Sequence, residues 1–550
     1  SIIQSHFSPI LAVFAPLYWL WSDIRLLFII HTFCLAGAGF VIYCFFRQEA
    51  PWLGLTACLA YLLHPALHQV NLSEFRRITT AVLASSVALY YLFDRRYGAM
   101  AFGLAVALLS KENAAFLVIG IGLYVIFAHK KPRIGVSALL LGLGWLILVP
   151  LVVLPGLGTP QYLPKNAGYS LAGKYFSYLG HSPLEMLQTL LRNPLAPLEY
   201  VLQPERLEAV LDLFWPTGFL FLLSPGSAAL ALPFLGYLLA SKSDSMGELA
   251  AWYPAIILPL LYWAVALGRS RLQDHWRTVT LLISVGAAIV GYTTLSSVRP
   301  GRWPDWGRLK VTDHHRQVDQ ALKRIPKDAV VAAQDPLVPH VSHRQQVYLF
   351  PWFPEDTPPD YIILDREMKT YPEKRSSYRT LFYNVLSGIE YDIEQQIDSF
   401  FVFRYAGAVE PAMEQDARFG QLFTLEGLSV AAAPSGQPFG AVPTELSAGS
   451  TLRVSLFWRV EEATDQNFTV FVHALTKDGK LLAQHDSWPA DAHRPTSVLP
   501  TGTFFRDVHY LELPQATSSD IVLSIGLYDA QGDRLLTRDS QASATLPLQQ

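Results

Sequence analysis

Charge is what this sequence lacks. Only 16% of its 550 residues are Asp, Glu, Lys or Arg, 51% are hydrophobic, and the mean hydropathy is +0.26. That balance marks a membrane protein with a soluble part and a length that calls for several domains. Cysteine is scarce as well. Cys34, Cys44 and Cys58 all lie in apolar segments, which favours helix packing over disulfides or metal ligation. The soluble part therefore relies on ordinary hydrophobic cores. No Walker loop, Gly-rich dinucleotide turn, Gly-x-Ser-x-Gly elbow or His-Glu-x-x-His occurs, so nucleotide-driven chemistry is disfavoured. The net charge of -3 is small, no long repeat or low-complexity segment is present, and nothing points to nucleic acid.

Against that background Lys111 and Glu112 stand out. The apolar run from about Gly98 to Ala128 holds no other charged residue. An ammonium and a carboxylate at membrane depth cost roughly 3 kcal/mol each on insertion scales. Asp94-Arg95-Arg96 precedes the run and His129-Lys130-Lys131-Pro132-Arg133 follows it. One helix over the whole run would be about 46 Å long, against about 30 Å for a hydrocarbon core. It would also leave one basic cluster outside, contrary to the positive-inside rule. Two short helices in a hairpin place both clusters in the cytoplasm. Lys111 and Glu112 then form the outer turn, slightly below the outer membrane surface.

The rest of the chain is read around that hairpin. Residues 9–21 are too short to span and carry aromatics suited to a headgroup region, so an interfacial helix is expected. Leu26 to Phe46, Trp52 to about His68, a stretch ending at Phe93, and Ile134 to Leu154 read as spans. Residues 156–207 form a long polar-aromatic loop, with a surface helix over Ser182 to Leu191. Apolar stretches follow at about 208–223, 226–240, 250–268 and 278–294. Counting crossings from an outside start puts Arg47, Arg95 and Arg96, Lys130, Lys131 and Arg133, and Arg269, Arg271 and Arg277 all inside. The expected organisation is a multispan α-helical membrane domain over 1–300, with its loop 156–207 on the outer face. The chain starts at Ser1 in what reads as an outer loop, so a further span is expected upstream.

From about residue 301 the composition turns soluble. A helix over 312–324, strands near Ala329–Ala333, Val347–Phe350 and Tyr361–Leu364, a helix over 376–387 and strands near 389–393 and 399–404 describe a small α/β domain, 301–420. Alternation at Leu452, Val454, Leu456, Trp458 and Val460, and at Phe468, Val470 and Val472, describes an all-β sandwich over 421–550. Both are expected on the outer face.

Several polar residues are candidates for chemistry. Lys111 can neutralise a phosphate arriving from the membrane, with Glu112 orienting it or meeting a sugar hydroxyl; equally, the two can form a helix-end pair that snorkels. Glu74, Arg76 and Arg77 occupy a second outer turn. Two arginines there run against the positive-inside trend, as an anionic ligand or an interfacial ion-pair cluster would explain. His6 could be a ligand or a base, though a lone interfacial His is usually neither. Asp313-His314-His315 and His340-x-x-His343 have unspecific spacing and read as solvated surface, so no metal site is assigned. Trp458, His473 and Trp488 could stack a sugar, but the alternating strand makes Trp458 a core residue.

The motifs together carry a resemblance. His6-Phe7-Ser8-Pro9 with the following PILAVFAPLYWLW, the Leu-Ser-Glu-Phe turn, the Lys111-Glu112 hairpin and Trp252-Tyr253-Pro254-Ala255 resemble domain-of-unknown-function family 2079 over roughly residues 1–405. That family is similar to the GT-C membrane glycosyltransferases. The sandwich, with Leu456-Phe457-Trp458 and Phe471-Val472-His473, resembles a β-domain appended to several bacterial membrane glycosyltransferases. The resemblance implies a multi-pass protein of the bacterial cytoplasmic membrane, with its C-terminal domains periplasmic or extracellular. It implies transfer of a sugar from a polyprenyl-phosphate donor to an outer-face acceptor, with the lipid bilayer and the lipid-linked sugar as partners. Lys111, Arg76, Arg77, His6 and Tyr253 would bind substrate. The base is expected upstream of Ser1, with Glu74 and Glu112 as the candidates within this chain. Where the family usually shows a Phe-His-Pro-Glu-like sequence, this chain has Asn71-Leu72-Ser73-Glu74. The alternative function is a non-catalytic structural or accessory subunit of a membrane complex, with the sandwich as its docking module.

Overall fold

The computed structural model describes residues 7–21, 23–156, 175–180, 183–296, 310–354, 357–370, 373–518 and 520–548. The chain divides into two compact units, Ser1–Leu309 and Lys310–Gln550.

The first unit is helical. Among the described residues, Arg25–Phe46, Pro132–Val153 and His275–Leu295 are long and apolar enough to cross a membrane. Shorter apolar helices accompany them, at Leu11–Leu20, Pro51–Leu62, Ile78–Phe93, Tyr97–Ser110, Glu112–Phe127, Pro225–Leu239 and Ile257–Ser270. Ile257–Ser270 is the central helix, with almost every side chain buried, as expected where a helix is apolar on all faces. Its Trp263 stacks on Phe93 with ring centroids 5.4 Å apart, and it also packs on Phe45 and Phe46. Small residues set the helix spacing, as in membrane bundles generally. A Cβ on Gly122 would meet the Gly135 carbonyl at 2.9 Å, so the helices following the Lys111 turn pack backbone to backbone.

Sequence and structure part company at three helix boundaries. The stretch Trp52 to His68 is not one span: it breaks into Pro51–Leu62 and Pro65–Asn71. Pro65 has no N–H to continue the first helix, and His64 caps the second by accepting from Ala66 N at 3.2 Å. The stretch 208–223 runs as a helix only to Phe214. Gly218 and Phe219 then take left-handed backbone angles between short 3₁₀ turns. The stretch 250–268 is turn until Ile257. The hairpin and a short helix over Leu11–Leu20 form as expected, the latter with Trp19 and Leu20 exposed.

The second unit holds two sheet systems. In the first, β1 (Val331–Ala333), β2 (Val347–Leu349), β3 (Tyr361–Asp365), β4 (Tyr391–Ile397) and β5 (Phe400–Tyr405) lie in the order β2-β1-β3-β5-β4. β1 is parallel to β2 and β3, while β5 is antiparallel to β3 and β4. Helices Asp313–Arg324 and Arg375–Ser387 complete this α/β layer. The sandwich follows with β6 (Met413–Phe419), β7 (Phe423–Ala433), β8 (Glu445–Leu446), β9 (Thr451–Val460), β10 (Thr469–Thr476), β11 (Leu481–Ser487), β12 (Phe504–Glu512), β13 (Thr517–Ser518), β14 (Ile521–Tyr528) and β15 (Ala544–Pro547). Its main sheets run β12-β9-β7-β6 and β11-β10-β14-β15, with β13 and β8 as a separate pair. Trp458, Val454, Leu456, Val470, Val472 and Leu523 meet in the core between them. The helix Arg375–Ser387 lies against β12, and Arg506 on β12 donates to Leu386 O at 2.8 Å and Tyr391 O at 2.9 Å. The α/β layer and the sandwich are therefore joined by buried hydrogen bonds as well as by a shared apolar cluster of Phe382, Tyr383, Ala490 and Val508.

Candidate functional site

The site begins at the hairpin turn. Helix Tyr97–Ser110 stops because Lys111 is extended, at φ -156° and ψ 130°, and a 3₁₀ turn over Glu112–Ala114 starts the next helix. Lys111 N still donates to Ala107 O and Ala114 N to Lys111 O, both at 3.1 Å, so backbone bonds reach up to the single extended residue from both sides of the turn. The order of the charges suits the helix ends. A cation ends the first helix and a carboxylate opens the second, each worth about 0.3–1 kcal/mol. Lys111 Nζ lies 3.0 Å from Glu112 Oε1, and their side chains are only 17% and 10% exposed.

A second turn meets the first. Arg77 lies close enough to Glu112, and Arg76 and Arg77 close enough to Lys111, to interact electrostatically. Arg76 pairs with Glu74, and its guanidinium sits 3.4 Å over the Trp252 ring, a cation–π contact. His31 fixes the backbone of this turn. Its Nδ1 accepts from Arg76 N at 3.3 Å, and Nε2 donates to Val70 O at 3.1 Å, so one tautomer is selected. Thr79 and Thr80 return hydrogen bonds to the carbonyls of Arg76 and Arg77. On the other side of the hairpin turn, the Tyr237 hydroxyl reaches the Asn113 side chain and faces Glu112, Tyr175 and Tyr253.

The structure thus gathers Lys111, Glu112, Arg76, Arg77 and, through Arg76, Glu74; Tyr253 lies at its margin. Three cations face two carboxylates, which leaves one positive charge over. A helix-end pair alone accounts for Lys111 and Glu112 but not for two arginines brought close to the same lysine. The arrangement suits a phosphate-like anion, which accepts charge-assisted hydrogen bonds from several cations at once. His6 lies outside the described residues.

Other sequence candidates lie elsewhere. His340 and His343 are exposed. His314 faces Asp398 at 3.2 Å and Asp365 at 3.9 Å, and His315 Nδ1 accepts from the backbone N of Thr312, the residue that caps their helix. Trp458 is buried in the sandwich core, as its alternating strand implies, whereas Trp488 is exposed. Sequence reasoning missed His31, Asn113 and Tyr237. Of these only His31 left a signal, as a polar residue inside a span of otherwise apolar character.

Fold and site together define an α-helical membrane protein with a charged cluster at the turn of an apolar hairpin and a β-rich C-terminal unit. Residues 1–401 match the family described as "Predicted membrane protein (DUF2079)", and the chain belongs to that family. No curated protein and no solved structure matches it.

Proposed function

We propose that this protein is a membrane glycosyltransferase of GT-C type that moves a sugar from a polyprenyl-phosphate donor to an acceptor at the outer membrane face. The observation that carries this reading is the gathering of Glu112, Arg77 and Arg76 around Lys111 at the hairpin turn. In it the donor phosphate sits among the three cations. Glu112, buried in its ion pair, meets the sugar, and Glu74, 63% exposed, is placed to exchange a proton with water. The acceptor oxygen attacks the anomeric carbon and gives up its proton to a base. The bond from that carbon to the phosphate oxygen breaks with the electron pair leaving on the phosphate, and configuration inverts. The cations hold the negative charge that grows on the leaving phosphate, which is where electrostatic catalysis is most effective.

In this reading the hairpin turn faces outward, the basic loops around Arg47, Arg95, Lys130 and Arg269 face the cytoplasm, and both C-terminal domains lie outside. The test is transfer from undecaprenyl phosphoglucose in reconstituted membranes. Lys111→Ala is expected to lower transfer by about 100-fold. Full transfer by that variant would remove the reading. If the wild type transfers nothing and instead purifies as a stoichiometric part of a larger complex, the accessory-subunit reading, with the sandwich as docking module, replaces it.

A further inference from the structure

Two buried groups without hydrogen-bond partners, where the two turns meet, say more about the ligand than the net charge does. Asn113 is 7% exposed, and its Oδ1 has no hydrogen-bond partner among the described residues. Arg77 Nη1 is buried and likewise without a partner among them. Each such group loses its hydration without replacement, so a partner is expected when the site is filled. Arg77 Nη1 can only donate, whereas an amide presents an acceptor at one end and a donor at the other.

Both groups border Glu112. Arg77 interacts with it electrostatically, Asn113 follows it in the chain, and Tyr237 faces Glu112 while reaching the Asn113 amide. A bare phosphate answers Arg77, because it brings acceptor oxygens. It does not answer the Asn113 oxygen, which needs a donor. A hydroxyl both donates and accepts, so it satisfies whichever end of the amide Tyr237 leaves open. The ligand that completes this site carries an anionic group and a hydroxyl close to it.

We propose that Asn113, positioned by Tyr237, reads a hydroxyl adjoining the anionic group of the bound ligand, so that the site prefers a glycosyl phosphate to a bare phosphate. This rests on the reading of the cluster as an anion site and adds the part of the ligand that confers selectivity. A glycosyl phosphate can arrive on a lipid or free in water, and the two sources are separable.

The experiment uses the full chain in phosphatidylcholine nanodiscs doped with either undecaprenyl phosphate or undecaprenyl phosphoglucose, with binding read by native mass spectrometry. Undoped discs titrated with glucose 1-phosphate or inorganic phosphate form the soluble arm. The wild type is expected to bind the glucosyl lipid about tenfold more tightly than the bare one, as one good hydrogen bond allows. Asn113→Ala should abolish that preference and keep bare-phosphate binding within about twofold. Tyr237→Phe, which keeps the ring, should weaken the preference, and Asn113→Ser, which keeps a hydroxyl, should restore part of it. The same preference confined to the soluble arm, and lost in Asn113→Ala, would support the hydroxyl contact with a soluble ligand. An Asn113→Ala or Asn113→Ser protein that loses binding of both lipids would overturn the selective role, as would an unchanged preference in Asn113→Ala. Wild-type protein that binds none of the four probes overturns the anion site itself, which is a different outcome from loss of selectivity.

Discussion

Arg506 in the C-terminal unit and Arg77 in the helical unit are both guanidiniums taken largely out of water, yet their surroundings differ. Arg506, 1% exposed, donates to Leu386 O and Tyr391 O, and Asp392 lies 3.9 Å from its Nη1. Burial pushes its pKa down to about 10, against the nearby Asp392 charge, which acts to raise it. Beside it in sequence, Asp507 accepts from Ala490 N at 2.9 Å and from His509 Nε2 at 2.8 Å. Arg77 has an open Nη1, and Asn113, which follows Glu112 in the chain, has an open Oδ1. Desolvating a charge is repaid only when good partners replace water. The C-terminal unit supplies those partners from its own backbone, so its buried charges act as structure. The hairpin turn leaves part of that demand to something else, as a binding site does.

The comparison breaks first if the two arginines behave alike. Arg506→Leu strands two buried carbonyls, along with Asp392, and should cost the C-terminal unit about 3–5 kcal/mol. A calorimetric scan of the whole protein in detergent should show its β-rich transition at a markedly lower temperature, and an unshifted scan would place Arg506 among dispensable contacts. Arg77→Gln should do the reverse. It leaves the melting behaviour close to wild type but weakens binding of undecaprenyl phosphate by about 100-fold. Loss of stability without loss of binding would make Arg77 structural.

Acid should sharpen the contrast. His485 on β11 meets His509 on β12 at 2.8 Å. Burial, with the His509 charge second, pushes the His485 pKa below its usual 6.5, although Asp507, Asp491 and Asp486 pull it back. Burial raises Asp507, but the His509 charge and hydrogen bond, the Ala490 N–H and the His485 charge together hold its carboxyl below the usual range. Both lowered values act in one direction. Below about pH 6.5 the unfolded chain takes up the His485 proton before the folded one does, so folded stability falls as pH falls. The lowered Asp507 value extends that loss to more acidic pH. His485→Gln should flatten the upper part of the slope, measured as melting temperature between pH 7.5 and 5; an unaltered slope would exclude His485. The smallest effect is expected at the exposed rim. Glu74→Gln removes the partner of Arg76 at a cost of under about 1 kcal/mol and should tighten anionic lipid binding by about twofold. Weaker binding would instead assign Glu74 to the ligand.

How much of this was legible depended on the kind of residue. Lys111, Glu112, Arg76 and Arg77 could be read because charge inside or beside an apolar run has no inexpensive explanation. The turn that joins them could be read because basic clusters flank it. Asn113 and Tyr237 could not, since an Asn and a Tyr near a helix end carry no comparable penalty until tertiary packing closes over them. Trp252 stood in a recognisable motif, but its stacking on Arg76 depends on two segments far apart in the chain. In the helical unit, continuous apolarity hid the breaks at His64-Pro65 and Gly218, because hydropathy averages over backbone chemistry. In the sandwich, β6 reads MEQDARF, with most of its residues exposed or half-buried. Such an edge strand has too little apolar alternation to be separated from a loop, so the β-rich part starts earlier than composition indicated.

The central claim is that the 74–77 and 111–113 turns hold an anionic headgroup. A cryo-electron microscopy map of the full chain in nanodiscs supplied with undecaprenyl phosphate tests it most directly. The account predicts phosphate density about 3 Å from Arg77 Nη1 and Lys111 Nζ, lost in Arg77→Gln. A filled turn without phosphate density, with the lipid bound elsewhere on the bundle, would contradict it.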